Sequence, residues 1–274
     1  MVGKRVKKKK MRLPAVVVLL AAMMTVLTTA GPRGAAADSP LESPLEPAAE
    51  TVAPVARPVP AETEKTLPET DDPPEPFAPV PEGGPVEDTY FEDTAFLGDS
   101  RTEGFHLYSG LKTGAYYCSV GATVESVFSK AVETPAGKMP LLDAMAEEDF
   151  GKIYVMLGVN ELGWNGTEIY HNQYAKLIDR LREDHPDSLV VLQTLIPVSA
   201  KQEAKKSYVN NTRIAAYNEV IRQLAEEKQC PYVDVAAAMT DEQGCLRSDW
   251  TSDGVHLNTA GCKVWLDYLK THTV

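Results

Sequence analysis

The chain has 274 residues, 39 acidic and 27 basic, for a formal net charge of −12. Such an acidic chain repels phosphate backbones, so nothing favours nucleic acid as a partner. No Cys-x-x-Cys and no His-Glu-x-x-His spacing occurs, and neither a metal nor another cofactor is called for.

The charge is unevenly spread. Residues 1–37 carry +8, concentrated in Lys4, Arg5, Lys7, Lys8, Lys9, Lys10 and Arg12, and Leu13 to Ala30 is almost wholly apolar. A basic stretch before an apolar run reads as an export signal, cleaved near Ala35-Ala36-Ala37, or as a retained membrane anchor. Membrane contact is expected through this segment alone, and the protein is expected to be secreted or on the cell surface. Residues 38–88 hold 13 of the 20 prolines and a net charge of −11. That composition cannot support a core and reads as an extended stalk. Residues 89–274, carrying −9 of the total, form one domain of ordinary size.

Strand and helix patterns alternate through this domain. Thr94–Gly98 reads as a strand, followed by a short helix from about Arg101. Ala115–Val120 is a second strand, and Pro140–Glu148 has a helical pattern. Lys152–Leu157 reads as a third strand. Thr167–Glu183 is a helix with Ile169, Tyr174, Leu177, Ile178 and Leu181 on one face. Ser188–Pro197 is a fourth strand, Asn210–Glu227 a helix, Tyr232–Ala237 a fifth strand and Leu257–Lys270 the last helix. Such βα alternation predicts an α/β fold with a parallel sheet covered on both faces.

Four points along this framework carry chemistry. Phe96-Leu97-Gly98-Asp99-Ser100 puts a serine at a strand's carboxyl end and a helix's amino end, where α/β sheets bind ligands. Taken alone, Ser100 reads equally as a helix cap. Asp253-Gly254-Val255-His256 supplies the two groups that activate a serine, a base and a carboxylate that orients it. Asn160 follows the third strand, in Gly158-Val159-Asn160-Glu161, where its side-chain amide can serve as an oxyanion donor or cap a turn. Gly121 ends the second strand, leaving a backbone N–H open to close approach.

These four blocks resemble the SGNH/GDSL hydrolase family over roughly residues 94–272. The resemblance implies a three-layer α/β/α sandwich with a parallel sheet of about five strands. It implies Ser100 as nucleophile, His256 as base and Asp253 as orienting acid. It also implies an oxyanion hole of the Ser100 N–H, the Gly121 N–H and the Asn160 amide. The family's third block often reads Gly-x-Asn-Asp, and Glu161 stands here in place of the Asp. The Gly-x-Ser-x-Gly signature of the α/β-hydrolases is absent around Ser100.

The expected activity is hydrolysis of carboxylic esters through an acyl-serine, with an acylated surface glycan or peptidoglycan as the favoured substrate. The same residues would serve a surface O-acyltransferase, and a non-catalytic wall-binding module is the alternative of a different class. Trp164 and Trp250 are candidate substrate contacts or half-buried packing. Arg101 is expected to point to solvent and His106 to be a surface or packing residue. Cys118 and Cys230 sit in apolar strand contexts as free thiols, and a Cys245–Cys262 bridge would brace the Asp-x-x-His segment.

Overall fold

The structure, a computed structural model, describes residues 77–134 and 136–274. The candidate signal or anchor and most of the stalk lie outside these residues. Among the described residues no helix is long and apolar enough to cross a membrane.

Five strands form one parallel sheet: β1 (Thr94–Gly98), β2 (Ala115–Cys118), β5 (Lys152–Met156), β6 (Leu189–Gln193) and β7 (Tyr232–Val233), in the order β2-β1-β5-β6-β7. β1 and β6 are buried almost throughout, as strands covered on both faces must be. On one side α1 (Ser100–Tyr108) packs on α7 (Thr259–Thr271). Phe105 and the buried Trp265 meet there, with ring centroids 4.6 Å apart. Elsewhere on the sheet α3 (Thr167–Asp184) packs on α5 (Asn211–Lys228), joined by Tyr170 and Tyr217 at 4.3 Å. The family-implied three-layer sandwich is thus the observed architecture. Its strand order reverses direction between β1 and β5, and the carboxyl ends at such a switch point are where α/β folds bind ligands.

Local readings differ in several places. The second strand stops at Cys118, so Gly121 lies in the turn beyond it and does not end the strand. The fifth strand pairs only Tyr232 and Val233 with β6. The rest of the expected run, rich in alanine and so in helix propensity, turns into the short α6 (Val235–Met239), whose Ala236 N–H is captured by Thr194 Oγ1. The fourth strand stops at Gln193. Beyond it, the Leu195 and Val198 amides donate to the Asn218 and Asn211 side chains instead of to a strand. Ile169 is exposed, since Tyr170 of the same turn takes the inward position. The last helix starts at Thr259 because Asn258 caps it through the Gly261 N–H. A short hairpin of β3 (Val132–Thr134) and β4 (Gly137–Met139) lies before α2 (Leu141–Met145). Its three-residue strands are too short for a legible alternation.

The segment ahead of β1 is part of the packed body. Val80, Gly83 and Val86 donate their N–H groups to the Tyr232, Thr271 and Lys270 carbonyls at 2.8, 2.6 and 3.0 Å. Pro79, Pro81 and Pro85, beside or between these donors, have no N–H to leave unsatisfied. Ordered packing therefore begins before residue 89, where composition placed the boundary. All four cysteines are free thiols. Cys245 accepts from Asn211 while Cys262, on α7, lies against the Gly104 carbonyl, so the expected bridge does not form.

Candidate active site

Ser100 is the first residue of α1, directly after β1. Asp99 caps that helix, its side chain accepting the Arg101 N–H at 2.8 Å, the usual use of Asp before a helix. The turn is tight: a Cβ on Gly98 would run into the Thr102 side chain and the Met156 carbonyl. Glycine is therefore required for the strand to feed the helix at this angle, and the angle sets the serine.

Asp253 and His256 come from a loop that bonds to itself. Asp253 Oδ1 accepts the Val255 and His256 N–H groups, each at 2.8 Å, and the Thr251 hydroxyl donates to the His256 carbonyl at 2.6 Å. Gly254, at φ +93°, comes so close to the loop after β6 that a Cβ would meet Ser199 Oγ and Gln202 Cβ. The Ser199 N–H donates to its carbonyl at 2.9 Å. The structure thereby brings Ser100, His256 and Asp253 into line. Ser100 Oγ lies 2.9 Å from His256 Nε2, and His256 Nδ1 lies 2.7 Å from Asp253 Oδ2. With Nδ1–H donating to the carboxylate, Nε2 is left to accept the serine proton. Burial pushes the Asp253 carboxyl up. The His256 ring and the two backbone N–H groups outweigh that and hold it at about 2, so it is a carboxylate at any working pH.

Gly121 and Asn160 follow the carboxyl ends of β2 and β5, the strands on either side of β1. Gly121, at φ +75°, is the third residue of a turn closed by Ala122 N–H on the Ser119 carbonyl at 3.0 Å. The Ser119 N–H in turn donates to Gly98 at the end of β1. Asn160 follows β5, and its Nδ2 donates to the Ala122 carbonyl at 2.9 Å. An amide nitrogen carries two hydrogens, so a second donor remains for a ligand. A hollow of about 10 Å³, about the room one water molecule needs, lies beside this turn, lined by Ser119, Ala122, Val127 and Leu141 among others.

The tryptophans are placed less tellingly. Trp164 is half-buried in the turn after Glu161, to whose carbonyl its N–H donates. Trp250 is half-buried too, with the Arg247 guanidinium 4.4 Å from its ring centroid. His106 is exposed and stacks on Tyr116 at 4.0 Å, a surface and packing role.

Below the serine lie ionisable groups whose burial the sequence did not suggest. Arg101 is 2 % exposed, against the expectation that it points to solvent. Its Nη1 donates to the Ile196 carbonyl at 2.6 Å, on the same post-β6 loop that meets Gly254. Burial lowers its pKa to about 10, against the pull of Asp99 and Asp253, so it remains a cation. Asp99 is fully buried, which pushes it up to about 6 despite Arg101. Glu161 is fully buried as well. The Asp-Ser helix-cap pattern could have pointed to Asp99. For the other two, residue type argues the opposite.

Residues 96–264 match the model of the GDSL-like lipase/acylhydrolase family. Among solved structures, one described as a candidate platelet activating factor from Streptococcus pneumonia is 23% identical. That match covers 65% of this chain and 82% of the other, with a TM-score of 0.53. A candidate acylhydrolase from Bacteroides fragilis is 18% identical over 68% of this chain and 86% of its own, with a TM-score of 0.49. No curated protein matches. Among the described residues no cluster of three or more His, Cys, Asp or Glu side chains is arranged to hold a metal ion.

Proposed function

The chain belongs to the GDSL-like lipase/acylhydrolase family, and from that premise we propose that it is a serine esterase working through an acyl-serine. The Ser100–His256–Asp253 alignment, at 2.9 and 2.7 Å, carries the reading. Ser100 Oγ bonds to the ester carbonyl carbon as its proton passes to His256 Nε2. The carbonyl electron pair moves onto oxygen, where the Ser100 N–H, the Gly121 N–H and the free Asn160 Nδ2 hydrogen receive it. When the pair returns, the C–O bond to the alcohol breaks and the departing alkoxide takes the proton from His256. Water then attacks the acyl-serine by the same route and releases the acid. Asp253 stays ionised throughout and steadies the imidazolium.

Acetyl esters are the preferred substrate class. The basic, apolar N-terminus and the acidic, proline-rich residues 38–88 favour an exported enzyme acting on an acetylated surface glycan or peptidoglycan. Half of the His256 side chain is open to solvent. That leaves the base open to water as the acyl acceptor, as hydrolysis requires.

The test is hydrolysis of p-nitrophenyl acetate and its longer homologues by the full chain, beside Ser100→Ala. Acetate should be the best substrate, and the variant should lose on the order of 10⁶ in turnover. A wild-type chain inert toward every ester, or a Ser100→Ala variant that keeps its rate, would overturn the proposal.

A further inference from the structure

Beside Asn160 lies a carboxyl group with no part in those steps. Glu161 is fully buried, and its Oε1 accepts the Val124 N–H at 2.7 Å while Oε2 has no partner. Val124 closes the segment that presents Gly121. That segment is held at three points: Ser119 N–H on the Gly98 carbonyl at 3.3 Å, Asn160 Nδ2 on the Ala122 carbonyl at 2.9 Å, and Val124 N–H on Glu161. Two of the three ties come from neighbouring residues after β5. The β5 side is itself fixed, since the Tyr217 hydroxyl donates to the Glu161 carbonyl at 2.6 Å and the Glu161 N–H to the Gly158 carbonyl.

We propose that Glu161 is a positioning residue, which straps the Gly121 segment to the Asn160 turn and so sets the spacing of the two oxyanion donors. The inference rests on the oxyanion role proposed for Gly121 and Asn160. An aspartate, one methylene shorter, would bring its carboxyl less far from the same backbone position. The glutamate at this position supplies the extra reach to Val124.

The strap acts as a neutral carboxyl. The titratable groups facing Glu161 are Asp99 at the end of β1, Tyr170 and Tyr174 on α3, and Tyr217 on α5. Burial pushes the three tyrosines upward, which keeps them uncharged. Asp99 is the group among them that ionises near neutral pH. Burial pushes Glu161 up to about 8, and the nearby Asp99 adds to that. Ionising Glu161 above that pH sets a second negative charge beside Asp99 where water cannot screen it. The carboxylate accepts the Val124 N–H more strongly than the neutral acid does, but relieving the unscreened charge moves the group toward water, and the donors move with it.

The experiment compares kcat and KM for p-nitrophenyl acetate from pH 6 to 9.5. It uses the full chain as wild type, Glu161→Gln, Glu161→Ala, Asn160→Ala and the double variant Asn160→Ala/Glu161→Ala. Glu161→Ala should lower kcat about tenfold or more with KM little changed, less than the ~10²–10³ of deleting a donor outright. Glu161→Gln keeps an oxygen for Val124 and cannot ionise. It should hold wild-type kcat at pH 7 and lack the alkaline fall near pH 8 that the wild type shows. In the double variant, Glu161→Ala should add much less than it does alone, because residues acting through one unit are not additive. Wild-type kcat in Glu161→Ala, full additivity in the double variant, or an unchanged alkaline fall in Glu161→Gln would each overturn the inference. Glu161→Gln leaves no cavity, so its pH profile decides the matter even where Glu161→Ala does not fold. Wild-type turnover in Asn160→Ala is a different failure, that of the oxyanion assignment itself.

Discussion

The site has an upper and a lower tier that obey different rules. Above, Ser100, His256 and Asp253 form a line whose imidazole and carboxylate are each about half exposed, at 50 and 54 %. Below, Asp99, Arg101 and Glu161 are sealed from water. In the upper tier, water screens the charges, so the line adds little to folding and its members are free to be chosen for proton transfer. In the lower tier every charge is expensive unless it is matched, so those residues are committed to geometry. Aspartate thus serves in the reactive line in one tier and as framework in the other.

Removing an upper-tier group should therefore abolish rate and spare the fold. Ser100→Ala, with the largest expected loss, should unfold within about 0.5 kcal/mol of wild type. Thermal unfolding beside the esterase assay checks this, and a large drop in Tm would merge the tiers. Asp253→Ala comes next, with roughly 10⁴ lost in kcat and again little change in Tm. Arg101→Met should do the reverse. It orphans the Ile196 carbonyl and leaves Asp99 without its cation, at about 1–3 kcal/mol of stability. Rate should fall less than in Asp253→Ala, because the loop that meets Gly254 is displaced and no reacting group is lost. Urea unfolding reads the first quantity and kcat the second.

The last expected effect is a matter of pH. The Glu161 carboxyl ionises near its ordinary 4.5 in the unfolded chain and near 8 in the folded one. Below the first value both forms are protonated, and the stability due to the neutral group is fully present. As pH rises, the unfolded chain ionises first, and that stability is lost until the folded form ionises too. Glutamine does not titrate. The stability of Glu161→Gln relative to wild type should therefore climb between about pH 4.5 and 8 and level off above. Urea unfolding at intervals of one pH unit would show it, and a flat difference would return Glu161 to the rules of the upper tier.

The upper tier was legible in the sequence, and the lower one was not. A serine after Phe96-Leu97-Gly98-Asp99, an asparagine after β5 and an Asp-x-x-His before the last helix are local patterns, each readable from strand ends and turn residues. The long strands and helices were readable for the same reason. Burial of Arg101 depends on a carbonyl 95 residues away, and that of Glu161 on an amide 37 residues back. No local periodicity encodes either distance. The misread fifth strand has a similar cause. Tyr232-Val233 looks like the start of a longer run, and its end is set by Thr194 of another element, whose hydroxyl bonds to Asp234 and captures the Ala236 N–H. Cysteine positions in sequence likewise gave no sign that Cys262 would spend its thiol against α1.

The attachment of residues 80–86 settles how this domain can be handled. α7 begins beside His256 and runs thirteen residues to Thr271, a length of about 20 Å. Gly83 and Val86 are tied to the far end of that helix. The chain therefore enters the domain from the side opposite its reactive hydroxyl. A bead, an affinity tag or a fused carrier joined ahead of residue 77 would leave the mouth of the site unobstructed. A cargo joined at Val274, whose backbone bonds the Tyr90 hydroxyl, would be mounted on that same rear surface.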